Sequence, residues 1–324
     1  MNTLGSRSGA VAPAGVAVVG LGAAGRQHLA ALEHTAAGEV RAVCDADPAR
    51  AATAAAALPK AQHLDWEGVL AAPDIDLIAL CTPPGSHLAL AEAALAAGKA
   101  VLVEKPPVRT EAELDTLLAA SARAGRPVGV MLQHRFRLPE EALREQWSGR
   151  ALGVLEVVRH RPAAHYARAD WRLDPAVAAG GLFAHLAVHY TDLACQLLGD
   201  PVLVTGLVDC DLAPGVDTRL ALTIRFASGA TLSLTGTTAV DARGERLAVY
   251  DDHRLVTVHD GDARFTGVRA GATATAPMPT AALRTAVYEE FCLAAAGGPG
   301  PDRTALSRSR GVVRILERVG KLAA

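Results

Sequence analysis

The strongest constraint on this chain is a turn of three glycines. Gly20, Gly22 and Gly25, in GLGAAG, follow the apolar run GVAVVG and open an Ala-rich helical stretch. Tight turning, close approach of a pyrophosphate and close packing of helix on strand each require a missing side chain there. Twenty residues past Gly25, at the end of the next apolar run, Asp45 stands in VCDADP. A carboxylate at that point can take both ribose hydroxyls of an adenosine. The pair of signals predicts dinucleotide binding, whereas a glycine turn used only for packing leaves Asp45 unexplained. A second acid, Asp47, follows and no arginine directly succeeds Asp45. NAD(H) is therefore expected over NADP(H), whose 2′-phosphate would be repelled unless Arg50 swings in to screen it.

From this turn onward strand-like and helix-like runs alternate, with strands expected near 76–82, 100–104 and 127–133. Nearly continuous Val, Ile and Leu in the strands predicts a parallel sheet covered on both faces, a doubly wound α/β domain over 15–133. Beyond it, period-two runs such as RLALTIRF and TLSLTGT, joined at Ser228-Gly229, predict an α+β domain over 134–324 with an open, mostly antiparallel sheet. Its one strong helix is expected over 182–199. A helix over about 303–322 is expected to pack back on the first domain. Residues 1–14 read as a flexible tail, and 270–280 as a small-residue loop.

Composition narrows the function. The chain has 324 residues, 50% of them hydrophobic, enough to build two cores without staples. Its 32 basic and 34 acidic residues leave a charge of -2 with no long block of either sign, which argues against a nucleic-acid partner. No run approaches the roughly 20 apolar residues of a membrane helix, and no signal peptide opens the chain, so a cytoplasmic protein is expected. The five cysteines, 44, 81, 195, 210 and 292, form no CxxC pair and read as buried thiols.

Four of the basic residues are lysines, and one of them, Lys105, ends an expected strand in Glu104-Lys105-Pro106. At the carboxyl edge of such a sheet it would face the nicotinamide end of the ligand. Burial and an oxidised nicotinamide would both lower its pKa towards a range useful for proton transfer, a task arginine cannot perform. Arg135 and Arg137, after the sixth strand, and Trp171 and Arg172, before the long helix, are candidates to line the substrate cleft.

These residues resemble a known family. CTPPGSHLALAEAALAAGKAVLVEKP, with GLGAAGRQH before it, QHRF after it and GGLFAHLAVHYTD further on, is similar to the glucose-fructose oxidoreductase and inositol dehydrogenase family, Gfo/Idh/MocA. The resemblance implies an N-terminal Rossmann domain, a C-terminal domain with an open sheet, and oxidation or reduction of sugars, cyclitols or aminosugars with a pyridine nucleotide. It implies that Lys105 is the catalytic lysine, with His189 as acid or base beside the substrate hydroxyl. It also implies that Thr82, Pro83, His87 and Glu104 shape the nicotinamide half, that Asp192 is the last motif acid at the substrate site, and that the protein is a homodimer or homotetramer. The departure is His185, where many inositol-dehydrogenase-like members have aspartate. Four residues before His189, it is expected to share a helix face with it, about 6 Å away, and to lower one of the two pKa values; a neutral, substrate-facing role is the alternative. No metal is expected, because the two histidines lack a third ligand. The expected activity is interconversion of a secondary alcohol and a ketone on a polyhydroxylated substrate. A redox-neutral NAD-dependent glycoside hydrolase and a non-catalytic dinucleotide-binding regulator are the alternatives.

Overall fold

The computed structural model describes residues 12–166, 170–267, 271–274 and 278–323. Its first sheet contains β1 (Ala14–Val19), β2 (Gly38–Cys44), β3 (Gln62–His63), β4 (Leu77–Leu80), β5 (Ala100–Val103) and β6 (Val128–Val130), in the order β3-β2-β1-β4-β5-β6. All pairings are parallel. Every residue of β1, β4 and β5 is buried, because helices cover both faces and leave no polar side to the strand. Strand order reverses at β1, which lies between β2 and β4. A crevice forms there at the carboxyl ends of the strands.

The second sheet contains β7 (Leu152–Arg159), β8 (Pro201–Asp209), β9 (Arg219–Phe226), β10 (Thr231–Thr237), β11 (Arg243–Asp251), β12 (Arg254–His259), β13 (Asp262–Gly267) and β14 (Gly271–Ala274). Their order is β14-β13-β12-β11-β7-β10-β9-β8, and every pairing is antiparallel except β7 with β10. The hairpin expected at Ser228-Gly229 joins β9 to β10, with Gly229 at φ +97, a conformation that suits glycine. Alternation along β9 buries Leu220, Leu222, Ile224 and Phe226 in the core shared with Leu193 and Leu197 of the helix Val188–Leu198. On the opposite face Leu152, Val154, Leu203, Leu207 and Tyr250 are exposed, Leu207 by 73%.

Four expectations are corrected. The first strand begins at Ala14, inside the expected tail; residues 1–11 lie outside the described residues. Gly271–Ala274 is a strand, not a loop, because it pairs with β13 at the sheet's edge; 268–270 and 275–277 lie outside the described residues. The C-terminal helix starts at Arg310, after a turn over Leu306–Ser309. It packs on β8, on Val188–Leu198 and on the first-domain helix Glu111–Ala124, where Arg314 Nε and Nη2 donate to the Glu111 carboxylate at 2.9 and 2.8 Å and Arg310 Nη2 donates to Asp115 at 2.6 Å. The helix that docks fully on the first sheet is Thr280–Ala295, whose Val287, Tyr288, Phe291 and Cys292 join the core of β1 and β4. Finally, the helix expected over 182–199 is divided: Phe183–Ala187 is a π-helical turn and the regular helix runs from Val188 to Leu198. The carboxylate of Asp217, far away in sequence, accepts the N–H groups of Gly181 and Phe183, both at 2.6 Å, and so sets how this helix begins. All five cysteines are free; four are buried and Cys210 is half-buried.

Candidate active site

The crevice at the strand reversal opens into a cavity of about 1000 Å³ that extends to the second sheet. Gly20, at φ +89, is packed so closely on the Cys81 carbonyl that a Cβ would lie 2.8 Å from it. A Cβ on Gly25 would lie 2.0 Å from the Gly20 carbonyl oxygen, so Gly25 serves helix packing and does not line the cavity. Gly22 differs: it opens the helix Ala23–Leu32, and a Cβ there would meet nothing within 4 Å. Free space before the N–H groups of a helix start is the cradle a pyrophosphate needs.

Asp45 closes this half of the cavity. Leu21 N–H donates to its Oδ2 at 2.6 Å, and Asp47 N–H and Arg50 Nη1 donate to its Oδ1 at 2.9 and 3.0 Å. Burial pushes the Asp45 carboxyl up, but these donors and the Arg50 charge more than offset it and hold it below the usual range. Arg50 also lies 3.4 Å from Asp47. The screening arginine considered from the sequence is thus in place.

Glu104, at the end of β5, is buried and accepts from Arg284 Nη1 at 2.8 Å. His28 is buried and its pKa is lowered chiefly by burial, so its imidazole is neutral; Nε2 donates to Glu104 at 3.0 Å and Nδ1 accepts from the Tyr288 hydroxyl at 2.7 Å. Arg284 and His28 offset the burial of the Glu104 carboxylate and hold it ionised. The second Glu104 oxygen accepts the Lys105 N–H at 2.9 Å, which orients the next residue. Lys105 Nζ donates to the His185 carbonyl at 2.9 Å, inside the π-helical turn. Lys105 is lowered to about 8: burial lowers it most, Glu104 raises it, and Arg284, Arg161 and Arg159 add to the lowering.

Three imidazoles complete the site. His189 packs against His134, ring centroids 4.7 Å apart, and His185 lies 6.1 Å from the Trp171 ring. Burial, then neighbouring positive charge, lowers His134 and His185 to about 3 and holds His189 well below its usual value. Among the described residues, His134 Nδ1, His185 Nε2 and His189 Nδ1 are buried without hydrogen-bond partners. The neighbour that presses on His189 is His134, not His185 as the four-residue spacing suggested. Among the described residues, no group of three or more His, Cys, Asp or Glu side chains is arranged to hold a metal ion.

Of the other expected residues, Thr82, Pro83, Trp171, Arg172 and Arg137 line the cavity. Arg135 and Asp192 do not. They form a buried pair in which Nε and Nη2 of Arg135 donate to the two Asp192 oxygens at 2.7 Å each, and they join the segment after β6 to the helix Val188–Leu198. Both act behind the site. His87 is also off the cavity: its ring nitrogens lie 3.0 and 2.9 Å from the Pro106 and Thr82 carbonyl oxygens, between the loops after β5 and β4. The sequence reading missed His134, although QHRF directly follows the sixth strand, where ligands of such sheets bind. Tyr190, beside His189, is buried yet lines the cavity, and its hydroxyl donates to Glu245 at 3.2 Å. Glu245, Arg159, Arg161, Arg243 and Arg284 also line the cavity, and no local motif marks them.

Residues 14–132 match the family model described as "Oxidoreductase family, NAD-binding Rossmann fold", and residues 117–254 match the "GFO/IDH/MocA C-terminal domain". Inositol 2-dehydrogenase 2 of Saccharopolyspora erythraea is 33% identical over 195 residues, 58% of this chain and 55% of that enzyme. The chain spans about half the length of the curated relatives it matches. The fold is that of levoglucosan dehydrogenase solved with NADH and levoglucosan, TM-score 0.84 at 20% identity over 96% of this chain and 97% of the other. The WlbA dehydrogenase of Bordetella pertussis, solved with NADH and UDP-GlcNAcA, superposes with TM-score 0.80 at 22% identity over 96% of each chain. With both family models matched and the parallel and mostly antiparallel sheets in place, the chain belongs to the Gfo/Idh/MocA oxidoreductase family.

Proposed function

We propose that this chain is an NAD(H)-dependent dehydrogenase that interconverts a secondary alcohol and a ketone on a sugar, cyclitol or aminosugar. One observation carries the reading: Lys105, whose pKa is lowered to about 8, shares a cavity with the Gly22 cradle and three neutral imidazoles. The open space at Gly22 and the ionised Asp45 fit the pyrophosphate and adenosine ribose of a dinucleotide. When bound, the nicotinamide supplies the hydride acceptor or donor.

The chain's own residues handle the proton. In alcohol oxidation the neutral Lys105 Nζ accepts the substrate's hydroxyl proton, and in reduction the ammonium returns it. The bond from Nζ to the His185 carbonyl fixes the amine in the cavity. His189, held neutral, assists through a hydrogen bond from its unpartnered Nδ1 rather than by carrying the proton away. Asp45 and Asp47 outnumber Arg50, so the adenosine end retains negative charge and favours NAD over NADP. The exposed apolar face of the second sheet is proposed to join subunits into a dimer or tetramer.

Absorbance at 340 nm, with NAD or NADP and a panel of inositols, sugars, sugar acids and aminosugars, tests the activity. NADH formation with one ring polyol, lost in Lys105→Ala while NADH affinity is kept, is expected. Wild-type turnover in that variant would remove Lys105 from the mechanism. Bound nucleotide with sugar release and no net absorbance change would replace this reading with the redox-neutral hydrolase.

A further inference from the structure

The cavity wall built by the second sheet holds more positive charge than proton transfer uses. Arg159, the last residue of β7, is paired directly with Arg243, the first residue of β11. Arg161 follows two residues after Arg159, its backbone N–H donating to the Thr238 carbonyl at 3.0 Å. Arg172 joins them, its guanidinium 5.1 Å from the Trp171 ring centroid. All four line the cavity. Like charges directly opposite in an antiparallel pair destabilise the sheet.

Glu245 answers part of this charge through its ion pair with Arg159. Among the described residues neither Arg161 nor Arg243 has an ion pair. The chain's structural arginines behave differently: Arg135 is paired with Asp192, and Arg284 with Glu104. Arg161 is pushed below its ordinary value by burial and then by Arg159 and Arg172, and its charge also bears on Lys105 and His185. The cluster therefore sits beside the proton-transfer group. The dinucleotide's own phosphates would sit elsewhere, at Gly22 and near Asp45.

Resting on the dehydrogenase reading above, we propose that the substrate carries an oxyanion, a carboxylate or a phosphate, which Arg161 and Arg243 hold so that its ring hydroxyl meets Lys105. A guanidinium fork matches both groups, and an ionised partner would offset the repulsion that the protein leaves in place.

Calorimetric titration of glucuronate, glucose 6-phosphate and glucose into the NADH-loaded protein, in buffer free of phosphate and sulfate, tests this. NADH binding is measured separately by fluorescence. At least one anion should bind about tenfold or more tightly than glucose, the advantage of a charge-assisted bond. That advantage should vanish in Arg161→Gln and in Arg243→Gln. Which anion wins separates a sugar acid from a sugar phosphate. Neither variant should lower Tm, because each removes repulsion; a lower Tm would make the arginines structural and overturn the proposal. Equal affinity for all three probes with NADH bound would overturn the anion site and leave the dehydrogenase reading standing. Failure to bind NADH would overturn both.

Discussion

His134 and His189 lie ring against ring, centroids 4.7 Å apart and planes inclined by 37°, although one follows β6 and the other stands on the helix Val188–Leu198. Neither buried Nδ1 has a partner among the described residues, and each ring is held neutral. Two imidazoles so close cannot both be protonated without strong repulsion. Replacing His134 with Phe removes the positive charge that His134 takes up when it is itself protonated in acid, and leaves the burial. The His189 pKa should rise but stay below 6.5, its ordinary value, as followed by an NMR titration of its ring proton. An unchanged titration would mean that burial alone sets it.

The pH dependence of turnover should follow Lys105. Its neutral amine is the proton acceptor, so kcat/KM for alcohol oxidation should rise with pH through about 8 and then level off. Ketone reduction needs the ammonium and should fall over the same range. Glu104 raises the Lys105 pKa, so Glu104→Gln should move the limb below 8. The same change leaves the Arg284 charge buried without its partner, so the profile is measured well below the lowered Tm. A limb that stays at its wild-type pH would separate Glu104 from the lysine.

Arg135→Ala should destabilise the fold without touching ligands. It strands the Asp192 carboxylate in a site where both partners are at most 2% exposed, a loss on the order of 3–5 kcal/mol. Urea unfolding would report the loss, and NADH titration of the folded variant should give the wild-type Kd. A weakened Kd at normal stability would return Arg135 to the ligand site.

Gly22 and Gly25 should separate by readout. Gly22→Ala adds a methyl to open space, so Tm should hold while NADH affinity falls about tenfold or more. Gly25→Ala drives a methyl onto the Gly20 carbonyl and should lower Tm by several degrees, because the turn must shift. The reverse pattern in thermal melts and NADH titrations would exchange the roles given to the two glycines.

Gly20, Gly22, Asp45 and Lys105 were legible locally, because each closely follows a strand, β1, β2 or β5, and so stands at the carboxyl edge of a parallel sheet; Gly25, read with them, packs inside the helix instead. Alternation read both sheets, since strands buried on two faces and strands buried on one differ in pattern. Pairing across distance was beyond that reading. Arg135 looked like a cleft residue until Asp192, fifty-seven positions on, claimed its guanidinium. The regular helix expected at His185 gave way to a π-helical turn beside the N–H groups that Asp217 takes up. His134 joined the site because its segment meets the helix Val188–Leu198, and Arg161 joined it because β7 ends at the same cavity. Local backbone preferences act over a few residues and are written in spacing. Whether an arginine finds a carboxylate, or an imidazole another ring, depends on which distant segments the packed cores bring together, and the tertiary structure decided that.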